Sequence, residues 1–265
     1  TLNTWGDTYG NRVDRFLACV AYFDSVPSLV MCRGYYDRTA LTAWDFKDFQ
    51  LVRRWAFDTQ DDPATLSQYE NQGAHSIAVG DVDEDGRDEI MYGAMAFDDD
   101  GTPLYNTNFN HGDATHLGDL IPSRPGLEFY MPSESAGREH DGIVNPAIHV
   151  RDAATGEVIW SVMDDGDIGR ALTADITPDH PGNEFWAASG LGVYNSQGEV
   201  IDNSIPSINF ANWWDGDLLR ELLDGTTISR WKTGSVLVAS GCYSNNGTKS
   251  TPALSGDILG DWREE

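Results

Sequence analysis

Lysine is nearly missing from this chain: three of 265 residues, Lys47, Lys232 and Lys249, stand beside 14 arginines. These 17 basic residues face 43 acidic ones, and the resulting net charge of −26 repels phosphate backbones and anionic headgroups at long range. Nucleic acid and membrane surfaces are excluded as partners on that ground. Cysteine is scarce too. Cys19, Cys32 and Cys242 are too few and too scattered for a disulfide scaffold or a CxxC zinc site, and only a Cys19–Cys32 bridge stays open. No run of about eighteen apolar residues occurs, and the chain from Thr1 opens without the basic and apolar regions of a signal peptide. A soluble chain, mature or cut, is expected. Helical periodicity is almost absent.

What the chain does have is a 40% apolar content, enough for a substantial core, and an aspartate excess, 31 of the 43 acids. Two explanations fit that excess. In a high-salt habitat a carboxylate-rich surface stays hydrated while its self-repulsion is screened, so a halophilic source is one. The other is several metal sites, because hard cations take oxygen ligands and aspartate supplies them from short loops.

An internal repeat decides the architecture. VGDVDEDGRDEIMYG from Val79 joins an apolar run, an acidic loop, a carboxylate and a second apolar run; LGDLIPSRPGLEFYM from Leu117, TADITPDHPGNEFWA from Thr173 and SGDILGDWREE from Ser255 are related. With WWDGDLLREL counted through Asp215, the leading aspartates Asp81, Asp119, Asp175, Asp215 and Asp257 are 38, 56, 40 and 42 residues apart. A four-stranded propeller blade takes roughly 40 to 50 residues. Between the aspartates lie short aromatic and β-branched runs bounded by Gly, Asp and Asn, and Asp152–Trp160 reads as a hairpin with Thr155 and Gly156 at its turn. The expectation is an all-β chain, a β-propeller built as one domain over residues 1–265 with no internal linker. The copy at Asp257 stops at Glu265 without its following strand, so the ends look cut.

The acidic loop D-V-D-E-D-G-R-D-E carries the strongest local chemistry. Carboxylates stand at loop positions 1, 3, 5 and 9 with Gly86 at position 6, so Asp81, Asp83, Asp85, the Arg87 carbonyl and Glu89 can converge on calcium, which wants six to eight oxygens. The bland alternative is a solvated Asp-Gly turn. It weighs more at the degenerate copies led by Asp119, Asp175 and Asp257. His75 and His111 sit among polar loop residues, His111 close to Asp113 and His116. This set is either structural or metal-binding, and imidazole suits transition metals better than calcium. N-N-G-T-K, Asn245 to Lys249, is a hairpin turn, a glycosylation sequon at Asn246, or an anion clamp or base at Lys249. Arg170 is a surface ion-pair partner or a carboxylate receptor. Trp213 and Trp214 either stack on sugar rings or pack between blades.

The strings WGDTYGNRVDRFLACVAYFD, PSLVMCRGYYDRT, GDVDEDGRDEIMYGAMAFDDDG, NFANWWDGDLLREL, SNNGTK and GDWREE together resemble polysaccharide lyase family 11, the rhamnogalacturonan lyases, from Thr1 to Glu265. The resemblance implies a calcium-rich eight-bladed propeller, of which this chain looks like five to six blades at ~44 residues per repeat. It implies an enzyme that cleaves the rhamnose–galacturonate backbone of pectin by β-elimination, leaving an unsaturated galacturonate end. Several calcium ions, rhamnogalacturonan as partner, a monomer and a secreted, extracellular location go with it. By motif, His75 and His111 match the family's histidines at the active-site calcium, with Asp113 beside them. Asn246, Gly247, Thr248 and Lys249 match its substrate-binding N-G-T-K, and Arg170 matches its active-site arginine across an apparent insertion at 135–145.

The chemistry is consistent with that resemblance. β-Elimination removes the proton α to a uronate carboxylate, charge develops on that carboxylate, and a cation stabilises it while bridging an acidic protein to a polyacidic polymer. Lys249 can shed a proton near neutrality, whereas Arg170 serves better as an electrostatic clamp. A non-catalytic, calcium-stabilised propeller binding glycan or protein is the alternative from another class. A glycosidase is a third reading, for which so many carboxylates make any acid pair arbitrary.

Overall fold

After each acidic loop comes a run that is apolar behind one glutamate: E-I-M-Y, E-F-Y-M, E-F-W-A and E-L-L. A continuous apolar run suits a strand covered on both faces, whereas an alternating one suits a half-exposed strand. The computed structural model describes Trp5 and residues 15–247 and 249–264, and in it these runs become the second strands of four successive sheets.

The first sheet is β1 (Phe16–Ala21), β2 (Ser28–Arg33), β3 (Ala40–Lys47) and β4 (Gln50–Asp58). The second is β5 (Ala78–Gly80), β6 (Glu89–Tyr92), β7 (Met95–Phe97) and β8 (Pro103–Asn106). The third takes β9 (His116–Gly118), β10 (Glu128–Pro132), β13 (Ile148–Asp152) and β14 (Val158–Val162), with the small hairpin β11 (Glu139–His140) and β12 (Ile143–Val144) inserted midway. That hairpin accounts for the long 56-residue spacing in the repeat. The fourth sheet is β15 (Ala171–Ala174), β16 (Glu184–Ala187), β17 (Val193–Tyr194) and β18 (Val200–Asp202). The fifth is β19 (Phe210–Asn212), β20 (Glu221–Asp224), β21 (Thr227–Arg230) and β22 (Gly234–Val238).

Every one of these sheets is an antiparallel meander, so the chain is all-β as its sequence leads one to expect. In each, the register shifts by a bulge between the last two strands: at Ala43/Trp44, Ala96/Phe97, Val150/Arg151, Val193/Tyr194 and Ile228/Ser229. A bulge tightens the local twist. Its recurrence at one place in five sheets marks a repeated structural unit. The hairpin at Asp152 forms as its sequence predicts: Asp152 Oδ1 accepts from the Thr155 N–H and hydroxyl, and Gly156 takes φ 75°.

The first three sheets lie in one compact unit, residues 1–119 and 125–169, and the last two in a second, residues 120–124 and 170–265. Within the first unit, Phe23, Val30, Leu41, Tyr92 and Phe97 form one core, and Met91, Ala96, Phe129 and Met131 another. Within the second, Leu172, Trp186, Val193 and Leu222 pack together, and the buried Trp186 indole N–H donates to the Ser207 carbonyl at 3.0 Å. Burial of one such aromatic or aliphatic side chain contributes about 2 kcal/mol. Cys19 and Cys32 are free thiols. In the β1–β2 register Cys19 faces Val30 and Cys32 faces Leu17, a diagonal relation that holds Cα atoms about 7 Å apart or more, too far for a bridge. No helix among the described residues is long and apolar enough to cross a membrane.

Candidate functional site

His75 precedes β5, while His111 and Asp113 lie between β8 and β9; what joins the two segments is backbone and amide bonding. Ala74 and Gly112 form an isolated parallel bridge, the His75 N–H donates to the Gly112 carbonyl at 3.3 Å, and Asn110 N–H donates to Gln72 Oε1 at 3.0 Å. The glycine in H-G-D is required by space, since a Cβ at Gly112 would lie 2.2 Å from the Pro132 carbonyl oxygen. Side-chain ligand atoms of His75, His111 and Asp113 thereby come within 4.8 Å of one another.

The tautomer of His111 is fixed. Its Nδ1 lies 2.7 Å from the Gly73 carbonyl, which can only accept, so Nδ1 carries a proton and in the neutral ring the lone pair is on Nε2. His111 is 1% exposed and its Nε2 has no hydrogen-bond partner, an arrangement that costs free energy unless a cation or donor occupies the space. Nε2 faces Asp113 Oδ1 at 3.4 Å and Glu134 Oε2 at 3.7 Å, and His75 Nδ1 is 3.1 Å from the same Asp113 oxygen. Tyr36 donates its hydroxyl to Glu134 Oε1 at 3.1 Å, and burial with the Glu134 charge pushes that phenol's pKa up. Tyr35 stacks on the His111 ring, and Arg15 stands 2.9 Å from His75 Nδ1. Two imidazole nitrogens with the carboxylates of Asp113 and Glu134 fit a divalent cation. Beside them opens a polar cleft of about 640 Å³ lined by Tyr36, Glu70, Asn71 and His140 among others. Sequence reasoning missed Glu134, Tyr36 and Arg15, because nothing in their local motifs distinguishes them.

In the Asp81 loop three of the five expected ligands, Asp81, Asp83 and Asp85, come together. Carboxylate oxygens of Asp81, Asp83 and Asp85 lie within 4.8 Å of one another, and the Gly86 N–H donates to Asp81 Oδ2 at 3.0 Å. Glu89, at the start of β6, is wholly buried; its Oε2 accepts from the Val82 N–H at 2.7 Å, while its Oε1 and Asp81 Oδ1 are buried without a partner. Burial pushes the Glu89 pKa up to about 7. An all-oxygen set with two orphaned carboxylate oxygens fits calcium. The Arg87 side chain pairs with Asp99 at 2.6 Å, leaving only its carbonyl as a candidate ligand.

The same frame recurs at Asp175, although its loop has few acids. Glu184 at the start of β16 is wholly buried, accepts from the Ile176 N–H at 2.9 Å, and is pushed by burial up to about 7; Glu184 Oε1 and Asp175 Oδ1 have no partner. Glu184 is a ligand candidate that its bland loop concealed. Asp119 is exposed and gathers no group of three donors among the described residues. At Asp257 the carboxylate is taken up by the N–H groups of Gly260, Asp261 and Trp262.

In the second unit, Arg170 precedes β15 and its guanidinium is 3.3 Å from Asn209 Oδ1. Around the N-G-T-K motif, Asn246 Oδ1 accepts from the Lys249 N–H at 2.8 Å, and its Nδ2 donates to Thr251 Oγ1 at 3.0 Å. Asn246, Gly247 and Lys249 are exposed, while Thr248 lies outside the described residues. One face of the Trp213 ring carries the Arg220 guanidinium at 4.0 Å, and the Trp214 backbone N–H donates to Glu221 at 3.3 Å.

A family model described as rhamnogalacturonan lyase family 11, C-terminal domain, matches residues 1–265. The chain is 47% identical to the rhamnogalacturonan endolyase YesW of Bacillus subtilis (strain 168), covering 100% of this chain and 42% of that protein. It is 47% identical to the rhamnogalacturonan exolyase YesX of the same organism, covering 100% of this chain and 45% of that one. Among solved structures, the Bacillus licheniformis rhamnogalacturonan lyase PL11 superimposes with a TM-score of 0.91 at 51% identity, over 98% of this chain and 44% of that chain. The chain thus spans less than half the length of the curated relatives it matches.

Proposed function

The chain belongs to rhamnogalacturonan lyase family 11, and from that premise we propose that the protein carrying it cleaves the rhamnose–galacturonate backbone of rhamnogalacturonan by β-elimination, with calcium as cofactor. One observation carries the reading: within a chain matched along its whole length to this family, His75, His111 and Asp113 bring their ligand atoms within 4.8 Å of one another. Those three residues, with Glu134, would hold the ion. Bound there, a divalent cation neutralises a uronate carboxylate and stabilises the charge that builds on it.

The chain's own residues have separable tasks. The Gly73 carbonyl holds His111 in the tautomer that presents a lone pair, and the Tyr36 hydroxyl holds Glu134 toward His111. By motif match Lys249 faces substrate carboxylates, and on chemical grounds we take it as the base: its Nζ takes the proton from the carbon α to a uronate carboxylate. That electron pair forms the double bond and the glycosidic oxygen on the β-carbon leaves. Arg170 acts as carboxylate clamp, and Asn246, Gly247 and Thr248 as substrate contacts. The loops at Asp81 and Asp175 are read as structural calcium sites, with Asp119 leading a weaker one. The recurrent four-stranded meander with its bulge supports reading residues 1–265 as a segment of one propeller. A polymeric substrate supports secretion; the aspartate excess supports a saline milieu; one chain per catalytic unit completes the proposal.

The test is the chemistry of the new chain end. Rhamnogalacturonan digested by the protein should carry unsaturated galacturonate at its new non-reducing ends. Saturated ends would mean hydrolysis, and intact polymer that is nonetheless bound would mean a glycan-binding module.

A further inference from the structure

Four sheets share one device: a glutamate at the start of the second strand, Glu89, Glu128, Glu184 or Glu221, each at most 1% exposed. Glu89, Glu184 and Glu221 each accept from a backbone N–H of the preceding loop, from Val82, Ile176 and Trp214 respectively. What stands opposite differs. Asp152 pairs with Glu128 in the antiparallel register, and continuing the neighbouring registers by one residue brings Asp98 toward Glu89 and Asn195 toward Glu184, but Arg230 toward Glu221.

The consequence is visible in the carboxylates. Glu89 and Glu184 each keep one oxygen buried without a partner, as do the leading residues Asp81 and Asp175. In the fifth sheet, Arg230 Nε donates to Glu221 Oε1 at 2.9 Å, and its NH2 group bonds Asp215 and reaches Asp217 at 3.2 Å. Those three carboxylates are the ones whose oxygens lie within 4.8 Å of one another. A guanidinium with a fixed fork of donors therefore sits at the focus of a carboxylate set like the one at Asp81.

We propose that Arg230 is the resident cation of the fifth loop, in the place a divalent ion takes at Asp81 and Asp175, so that this loop binds no calcium unless Arg230 is removed. The inference rests on reading the Asp81 and Asp175 loops as calcium sites. The guanidinium already fills the point where the three carboxylates converge, so a divalent ion can take that place only by displacing it. The last sheet then holds together in chelator, while the sheets led by Asp81 and Asp175 loosen.

The experiment counts calcium bound per chain, by equilibrium dialysis and elemental analysis, in the full protein and three variants. Asp217→Asn should lose no ion relative to the parent, and Arg230→Gln should gain one and acquire a melting temperature that falls further in chelator than the parent's does. Loss of one ion in Asp217→Asn, or no gain in Arg230→Gln, overturns the proposal; should Arg230→Gln not fold, the Asp217→Asn count decides alone. Asp83→Asn reports separately on the loop reading, which predicts the loss of one ion there. Its failure to lose one would refute that reading without deciding the role of Arg230.

Discussion

Removing metal should make this protein's stability fall as pH rises, the reverse of ordinary acid denaturation. Burial lifts the carboxyl groups of Glu89 and Glu184 from 4.5 to about 7 each in the metal-free fold. Between those limits the native state keeps two protons that the unfolded chain has released, so the native state is progressively disfavoured as pH climbs through the window. At about 1.4 kcal/mol per pH unit, each glutamate costs about 3.5 kcal/mol once ionised without a cation, and the pair about 7. Whole domains have only about 5–15 kcal/mol to lose. With calcium bound the carboxylates are ionised and balanced, and the slope should vanish or reverse. Denaturant unfolding at pH 5, 6, 7 and 8, in chelator and in calcium, reads both curves. Metal-free stability that is flat or rising from pH 5 to 8 would refute the reasoning. Glu184→Gln should remove about half of the slope.

Three further outcomes follow from other parts of the chain. Lys249→Ala should lower turnover by roughly 10²- to 10⁴-fold with an unchanged melting temperature, and Lys249→Arg should keep substrate affinity without restoring turnover; near-normal turnover in the arginine variant would make Lys249 a clamp. Gly112→Ala, whose Cβ would meet the Pro132 carbonyl at 2.2 Å, should destabilise by about 2–4 kcal/mol and weaken metal binding, as calorimetry can show. Because the net charge is −26, the melting temperature should rise from dilute buffer to molar salt, and a flat or falling series would count against the saline reading.

The sequence carried what depends on local spacing. Alternate acids around Gly86 announced the Asp81 loop, and the repeat of leading aspartates announced successive small sheets with the odd 56-residue interval. That interval holds the β11–β12 hairpin. Convergence between distant segments left no such mark. Glu134 meets His111 because β10 delivers it there, and Tyr36 reaches it from 98 residues away. Glu184 was hidden for another reason: its loop lacks the acid run, and only the shared position at a buried strand start reveals the kinship with Glu89. Arg230 is visible only once the β20–β21 pairing brings its guanidinium to Glu221. The Arg220 guanidinium over one face of Trp213 is a contact that no local pattern announces.

The most direct test of the whole account follows the double bond made in rhamnogalacturonan by the full protein, before chelation, after it, and after calcium is returned, in parallel with His111→Ala. The account predicts unsaturated galacturonate that disappears with chelation and returns with calcium in the parent, and that is nearly absent in the variant throughout. Unsaturated product forming undiminished in chelator, or in His111→Ala, would contradict it.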